Sequence, residues 1–148
     1  NRLGSTCASQ EGNLPWVTLG TAETDSWGNR FHYRVTTAFS NSAAGFTLAA
    51  LGDIRVCDAA ACATIIATAA PAVVLSYGKN GYGAVNAGGG TNPAPTTADE
   101  LENTDSDTNF VSRPMTDPSA AAGEFDDIVT WLSPNILFNR MVAAGRLP

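Results

Sequence analysis

Asp25-Ser26-Trp27-Gly28-Asn29-Arg30-Phe31-His32-Tyr33-Arg34-Val35 is the stretch whose reading decides the fold. Its first half is a reversal. Asp25 and Ser26 carry short side-chain oxygens that bond nearby backbone amides, and Gly28-Asn29 tolerate the angles of a tight turn. Its second half alternates, so Phe31, Tyr33 and Val35 share one sheet face, while His32, opposite in phase, is expected to point outward. A turn feeding an alternating strand predicts a sheet.

Working outward, residues 1–24 read as loop, with Leu14-Pro15-Trp16-Val17-Thr18-Leu19 as an apolar anchor against the core. Residues 46–51 and 53–57 read as one strand interrupted at Gly52 or as two short ones. Residues 63–69 fit helix or strand equally. Ala72-Val73-Val74-Leu75-Ser76-Tyr77-Gly78 is a continuous apolar run, which predicts a central strand covered on both faces. Lys79-Asn80-Gly81 then turns the chain, and residues 84–127 read as a long polar and acidic loop region. Asp127-Ile128-Val129-Thr130-Trp131-Leu132 is the last strand. A helix follows, with Ser133 as N-cap, Pro134 at its first position and Gly145 at its stop. In it Ile136, Leu137, Met141 and Val142 can share a face.

Charge is sparse and local. Residues 1–98 hold five acids and five bases, residues 99–127 hold nine acids against Arg113, and residues 128–148 add Arg140 and Arg146. The sum is −6, and the bases are scattered, so the basic patch of a nucleic-acid binder is missing and no nucleic-acid partner is expected. The 148 residues are one domain's worth of chain. No apolar run of about 18 residues occurs, so none of these residues is expected to span a membrane as a helix.

Cys57 and Cys62 lie five apart between two strand-like runs. A disulfide closing that reversal is one reading, and a pair of buried thiols is the other. Zinc is disfavoured, because three Cys and one His at these spacings make no familiar ligand set. Cys7 is left odd, which points to a partner outside this chain.

Several landmarks recur in a fixed order: Leu14-Pro15-Trp16-x-Thr18-Leu19-Gly20, Asp25-x-Trp27-Gly28-Asn29-x-Phe31-x-Tyr33, Gly52-Asp53-Ile54, Val74-Leu75-Ser76-Tyr77-Gly78-Lys79-Asn80-Gly81, Glu102-Asn103-x-Asp105 and Phe125-Asp126-Asp127-Ile128-Val129-x-Trp131. Together they resemble proteobacterial type IV pilin-like or minor pseudopilin proteins and, more distantly, the major pseudopilin of type II secretion. The likeness covers roughly residues 12–145. It implies an α+β head domain: an antiparallel sheet, long loops and a short C-terminal helix. It also implies a hydrophobic N-terminal filament helix, absent from these residues, that ties the subunit to the inner membrane before assembly. Gly45-Phe46-Thr47-Leu48 mimics the family's cleavage sequence, but Ala50 stands where its glutamate belongs and Gly52-Asp53-Ile54-Arg55 replaces its apolar run.

Candidate chemistry is thin. Asp105, Asp107 and Asn109 match the first three ligand spacings of an EF-hand, after which Phe110 replaces the glycine and Thr116 the bidentate glutamate. The resemblance implies a looser calcium site, because the major pseudopilins bind calcium in the corresponding loop. Its candidate ligands are Asp105 and Asp107, joined by Asp126 and Asp127 from the following strand. Glu100, at the start of the run, is the residue least expected to contribute. The plainer reading is a solvated acidic loop whose carboxylates cap backbone amides and bond Arg113.

His32 has no partner in any catalytic motif, and Ser76 lies in Leu-Ser-Tyr-Gly rather than in a nucleophile elbow. Gly78-Lys79-Asn80-Gly81 lacks phosphate-loop spacing. Trp16, Trp27 and Trp131 read as core or interface anchors. The expectation is therefore a non-enzymatic subunit of a type IV pilus or type II secretion pseudopilus, at the cell surface or in the periplasm, with other pilin or pseudopilin subunits as partners. No cofactor is required beyond the candidate calcium ion. The alternative is a soluble secreted binding or adhesion domain, calcium-stabilised or not.

Overall fold

The structure, a computed structural model, describes residues 2–3, 6–7 and 9–147. Their architecture is α+β. The strands are β1 (Arg2–Leu3), β2 (Thr6–Cys7), β3 (Glu11–Asn13), β4 (His32–Val35), β5 (Ile54–Cys57), β6 (Ile65–Ala70), β7 (Ala72–Ser76), β8 (Asn109–Val111) and β9 (Ile128–Trp131). The helices are α1 (Trp16–Leu19), α2 (Ala98–Glu102) and α3 (Pro134–Ala143), with a 3-10 turn at Thr37–Phe39.

One sheet runs β3-β4-β7-β9 and is antiparallel throughout; a second runs β6-β5-β8, with β5 and β8 parallel; β1 and β2 form a small hairpin. The core lies between the two larger sheets. It joins Val73, Leu75 and Val129 of the first to Ile54, Ala70 and Phe110 of the second, with Tyr77 and Ala84 closing one end and Trp131 packed alongside.

Register decides which face is which. Residues directly opposite in a ladder share a face, and His32 pairs with Leu75, Arg34 with Val73, and Leu75 with Val129. The polar positions of β4 therefore lie on the core side. His32 does not point outward: its ring sits 6.0 Å from that of Tyr77, and burial lowers its pKa, with Glu11 opposing and Arg34 reinforcing that shift. Arg34 is accommodated by Glu11, 3.5 Å away, its ladder partner on β3.

Phe31, Tyr33 and Val35 do share a face, as expected, but it is the open one. Tyr33 pairs with Val74, Val35 with Ala72, and Val74 with Thr130. Ile128, near the same end as Trp27, is 43% exposed, and Trp27 equally so. β7 is central, yet only its core-facing Val73 and Leu75 fall to 1% exposure; on the other face Ala72 and Val74 are half-buried, and only Ser76, at the strand's end, is buried, so the second cover expected over the whole strand is partial.

Other departures have local causes. Residues 14–19 do not anchor to the core. Trp16–Leu19 form α1, whose Val17 is 81% exposed, and Trp16 lies beneath the Arg30 guanidinium at 4.9 Å. Residues 46–51 form turns, not a strand, while the ambiguous 63–69 run becomes β6. The 84–127 region is not all loop, since it contains α2 and β8. The C-terminal helix starts after Ser133 as expected, with Pro134 in its first turn and Gly145 at φ 64° just past its end. It buries no residue fully; its contact is Phe138 with Phe39 and Phe46, ring centroids 6.2 Å apart in each case.

Cys57 and Cys62 are disulfide-bonded, and Cys7 is free among the described residues.

Candidate functional site

Three carboxylates converge where α2, the turn after β7 and the approach to β9 meet: Glu100, Asp126 and Asp127. The turn owes its path to Gly78 and Gly81, at φ 61° and 63°. At these angles only glycine is at ease. A Cβ on Gly78 would also overlap the Asp126 side chain and carbonyl, so the residue leaves room for that carboxylate.

Asn80 organises the pair beside it. Its backbone N–H donates to Asp126 Oδ2 at 2.9 Å, and its Nδ2 donates to Glu100 Oε1 at 2.9 Å. The Asp126 N–H also donates to Glu100 Oε1, at 3.3 Å. Asp127 is held separately, with its Oδ2 accepting from Asn103 Nδ2 at 2.8 Å.

What is missing matters more. Glu100 is 2% exposed, and its Oε2 has no hydrogen-bond partner; Asp126 Oδ1 is likewise buried and unpartnered. Among the described residues no Lys, Arg or His forms an ion pair with any of the three. Burial pushes the Asp127 carboxyl up to about 7, with Asn103 opposing and Glu100 and Asp126 adding to the rise. Burial also raises Glu100. Several buried negative groups without a counter-charge either hold protons or hold a cation.

The donor set fits a hard cation. Ligand oxygens of the three residues lie within 4.8 Å of one another, the spread that oxygens on a common ion about 2.3–2.6 Å away would show.

The four candidate ligands from the sequence do not meet in one place. Asp126 and Asp127 lie in this buried trio, whereas Asp105 and Asp107 fall in a second group with Glu102. That second group is occupied locally: Asp105 Oδ1 accepts from the Asp107 N–H at 3.3 Å, and Asp107 accepts from the Asn109 N–H at Oδ1 and from Asn109 Nδ2 at Oδ2, the latter at 3.0 Å. It has no buried, unpartnered oxygen among the described residues. Glu100, the residue least expected to contribute, instead completes the buried trio. Arg113 bonds Asp99, at 2.6 Å, and stacks over Phe125 at 4.5 Å.

Ser76 Oγ donates to Asp25 Oδ2, and Asp25 Oδ1 accepts from the N–H groups of Trp27 (2.9 Å) and Asn29 (3.0 Å). This is a clamp that sets the 25–29 reversal against β7. Comparison of the chain with protein-family models, curated proteins and solved structures returned no match.

Proposed function

We propose that this chain is the head domain of a pilin-like filament subunit, of a type IV pilus or a type II secretion pseudopilus, working in the periplasm or at the cell surface. The observation that carries the reading is the open face of the four-stranded sheet. Tyr33, Val35, Ala72, Val74, Ile128 and Thr130 lie on one side of three adjacent strands, and none of them is charged. Contiguous apolar surface of this kind marks an interaction site. A sheet face of uncharged residues, recessed beside Asp25 and Trp27 at one end and beside Phe39 and Phe46 at the other, suits an apolar helix, as the filament core of such subunits supplies. Its partners are then other subunits of the same filament.

Within that head, Glu100, Asp126 and Asp127 would hold a calcium ion. Its contribution is structural: it neutralises the carboxylates and fixes α2, the 78–81 turn and the start of β9 relative to one another.

The test is the intact mass and N-terminal sequence of the protein recovered from sheared filaments and from the medium of its native host. A filament species extended by an apolar segment before Asn1 is the expected result. A species confined to the medium and beginning near Asn1 would replace this reading with a soluble binding domain.

A further inference from the structure

We infer that the Cys57–Cys62 disulfide governs the cation affinity of the Glu100 site, acting through Asp99. This deepens the cation reading above and rests on it. The disulfide closes the loop Asp58–Ala61. At the tip of that loop the Ala60 N–H donates to Asp99 Oδ1 at 2.9 Å, across 39 residues of sequence. The other oxygen of Asp99 accepts from Arg113 Nε at 2.6 Å. Asp99 therefore joins the disulfide loop to α2, and its neighbour on α2 is Glu100.

Helix α2 needs that support. It has five residues, too few to be stable by its own hydrogen bonds. Its N-cap, Thr97, makes no side-chain capping bond. What sets its first turn is tertiary contact, and Asp99 supplies it on the outer side while Glu100 points inward. The position of the Glu100 carboxylate relative to Asp126 thus depends on where Ala60 presents its N–H.

Reduction removes the covalent constraint on Ala60, leaving the loop to the Cys62 N–H bond to the Ala59 carbonyl (2.8 Å) and the Asp58 N–H bond to the Thr64 carbonyl (3.1 Å). A dithiol gives two electrons and two protons to the paired sulfurs, leaving thiols at Cys57 and Cys62 and oxidising itself to a disulfide. Cys57 stays in place through its ladder with Val111, but Cys62, held at φ 48°, a region non-glycine residues avoid, is free to relax. The loop then loses its fixed approach to Asp99. Coupling of this kind is reciprocal, so bound cation must also make the disulfide harder to reduce.

The experiment measures Ca²⁺ affinity calorimetrically on the oxidised protein and on the protein held reduced by excess dithiothreitol, with circular dichroism to establish that both are folded. Affinity about tenfold weaker in the reduced form is expected, with the difference lost in Asp99→Ala. Equal affinities in two folded forms would overturn the coupling, as would a redox difference that survives in Asp99→Ala. If reduction unfolds the chain, Ala60→Pro in the oxidised protein removes the N–H donor with the disulfide intact, while also fixing φ at residue 60. It should weaken binding by a similar factor, and unchanged binding overturns the proposal. Absence of binding to the oxidised wild-type protein would instead take down the cation reading itself, and the coupling with it.

Discussion

Asn103 and Asp127 meet side chain to side chain, Nδ2 to Oδ2 at 2.8 Å, with Asn103 2% exposed. The same amide accepts from the Val111 N–H at 2.8 Å and donates to the Val111 carbonyl at 3.2 Å. One side chain of α2's C-cap thereby ties a strand of the second sheet to the beginning of a strand of the first. Asn103→Ala would leave buried polar groups on both sides without partners, at about 1–3 kcal/mol each. We expect a loss of about 3 kcal/mol in urea unfolding at unchanged slope. A loss under 1 kcal/mol would mean that Asn103 is not a tie between the sheets.

The pH profile follows from Asp127. Its folded pKa is about 7 against an ordinary 3.8, so between those values the folded state holds a proton that the unfolded state has released. The stability this provides is complete below pH 4 and is lost as pH rises to 7, by at most about 4 kcal/mol. Glu100 shifts in the same direction. Thermal melts in chelator should therefore fall from pH 5 to pH 8. Calcium added at pH 8 should restore the midpoint, and a melt indifferent to both pH and calcium would contradict the trio's assignment.

Gly78→Ala tests the space beside Asp126. The new methyl would meet the Asp126 carboxylate and carbonyl at a backbone angle of φ 61°. Left-handed backbone at a non-glycine residue costs about 1–3 kcal/mol, and overpacking adds a similar amount. Denaturant titration should show a loss of about 3 kcal/mol or more, together with weakened calcium binding.

Ile128→Lys separates face from core. Ile128 is exposed on the open side of β9, so the substitution should change unfolding free energy by no more than about 0.5 kcal/mol. Binding of a hydrophobic dye to the native protein should drop, and so should recovery of the protein in sheared filaments. Normal filament incorporation of the variant would remove the sheet face from the assembly interface.

Thiol titration of the folded 148-residue chain should find the Cys7 sulfhydryl and no reactive pair at Cys57 and Cys62. Replacing both bonded cysteines by serine should cost about 2 kcal/mol, the value for so short a closed loop. A gain in stability would show that the bond strains the hairpin.

Much of the backbone plan was legible in the residues. The 25–29 reversal, the strand after it, β7, β9 and the stop of α3 at Gly145 all follow from turn chemistry, alternation and spacing, and the cysteine pair takes the disulfide, one of the two readings its spacing left open. The facing of the sheet was not. In β4 the aromatic and aliphatic residues look like a core stripe. Burial, though, is decided by the ladder partners, and Val73, Leu75 and Val129 bring His32 and Arg34 inward with them. A single strand's alternation gives its period but not its sign.

The carboxylate trio was hidden for a related reason. Helix α2 buries Glu100 and Asn103, spaced to share a face, and leaves Leu101 43% exposed. Its amphipathicity is inverted. Polar residues three apart beside an outward leucine were the available signal, and the density of acids from 99 to 109 masked it.

Under the proposed filament role, the uncovered sheet face would also give an unassembled head a short life in the cell. Chaperones and proteases continually sort proteins by what is not tucked away, and a head outside the proposed filament would offer them the exposed Ile128 beside the half-buried Tyr33 and Val74. In the proposed filament that face would be covered. Surplus subunits would then be cleared with no tag and no dedicated receptor, and supply would be matched to the number of growing filament ends.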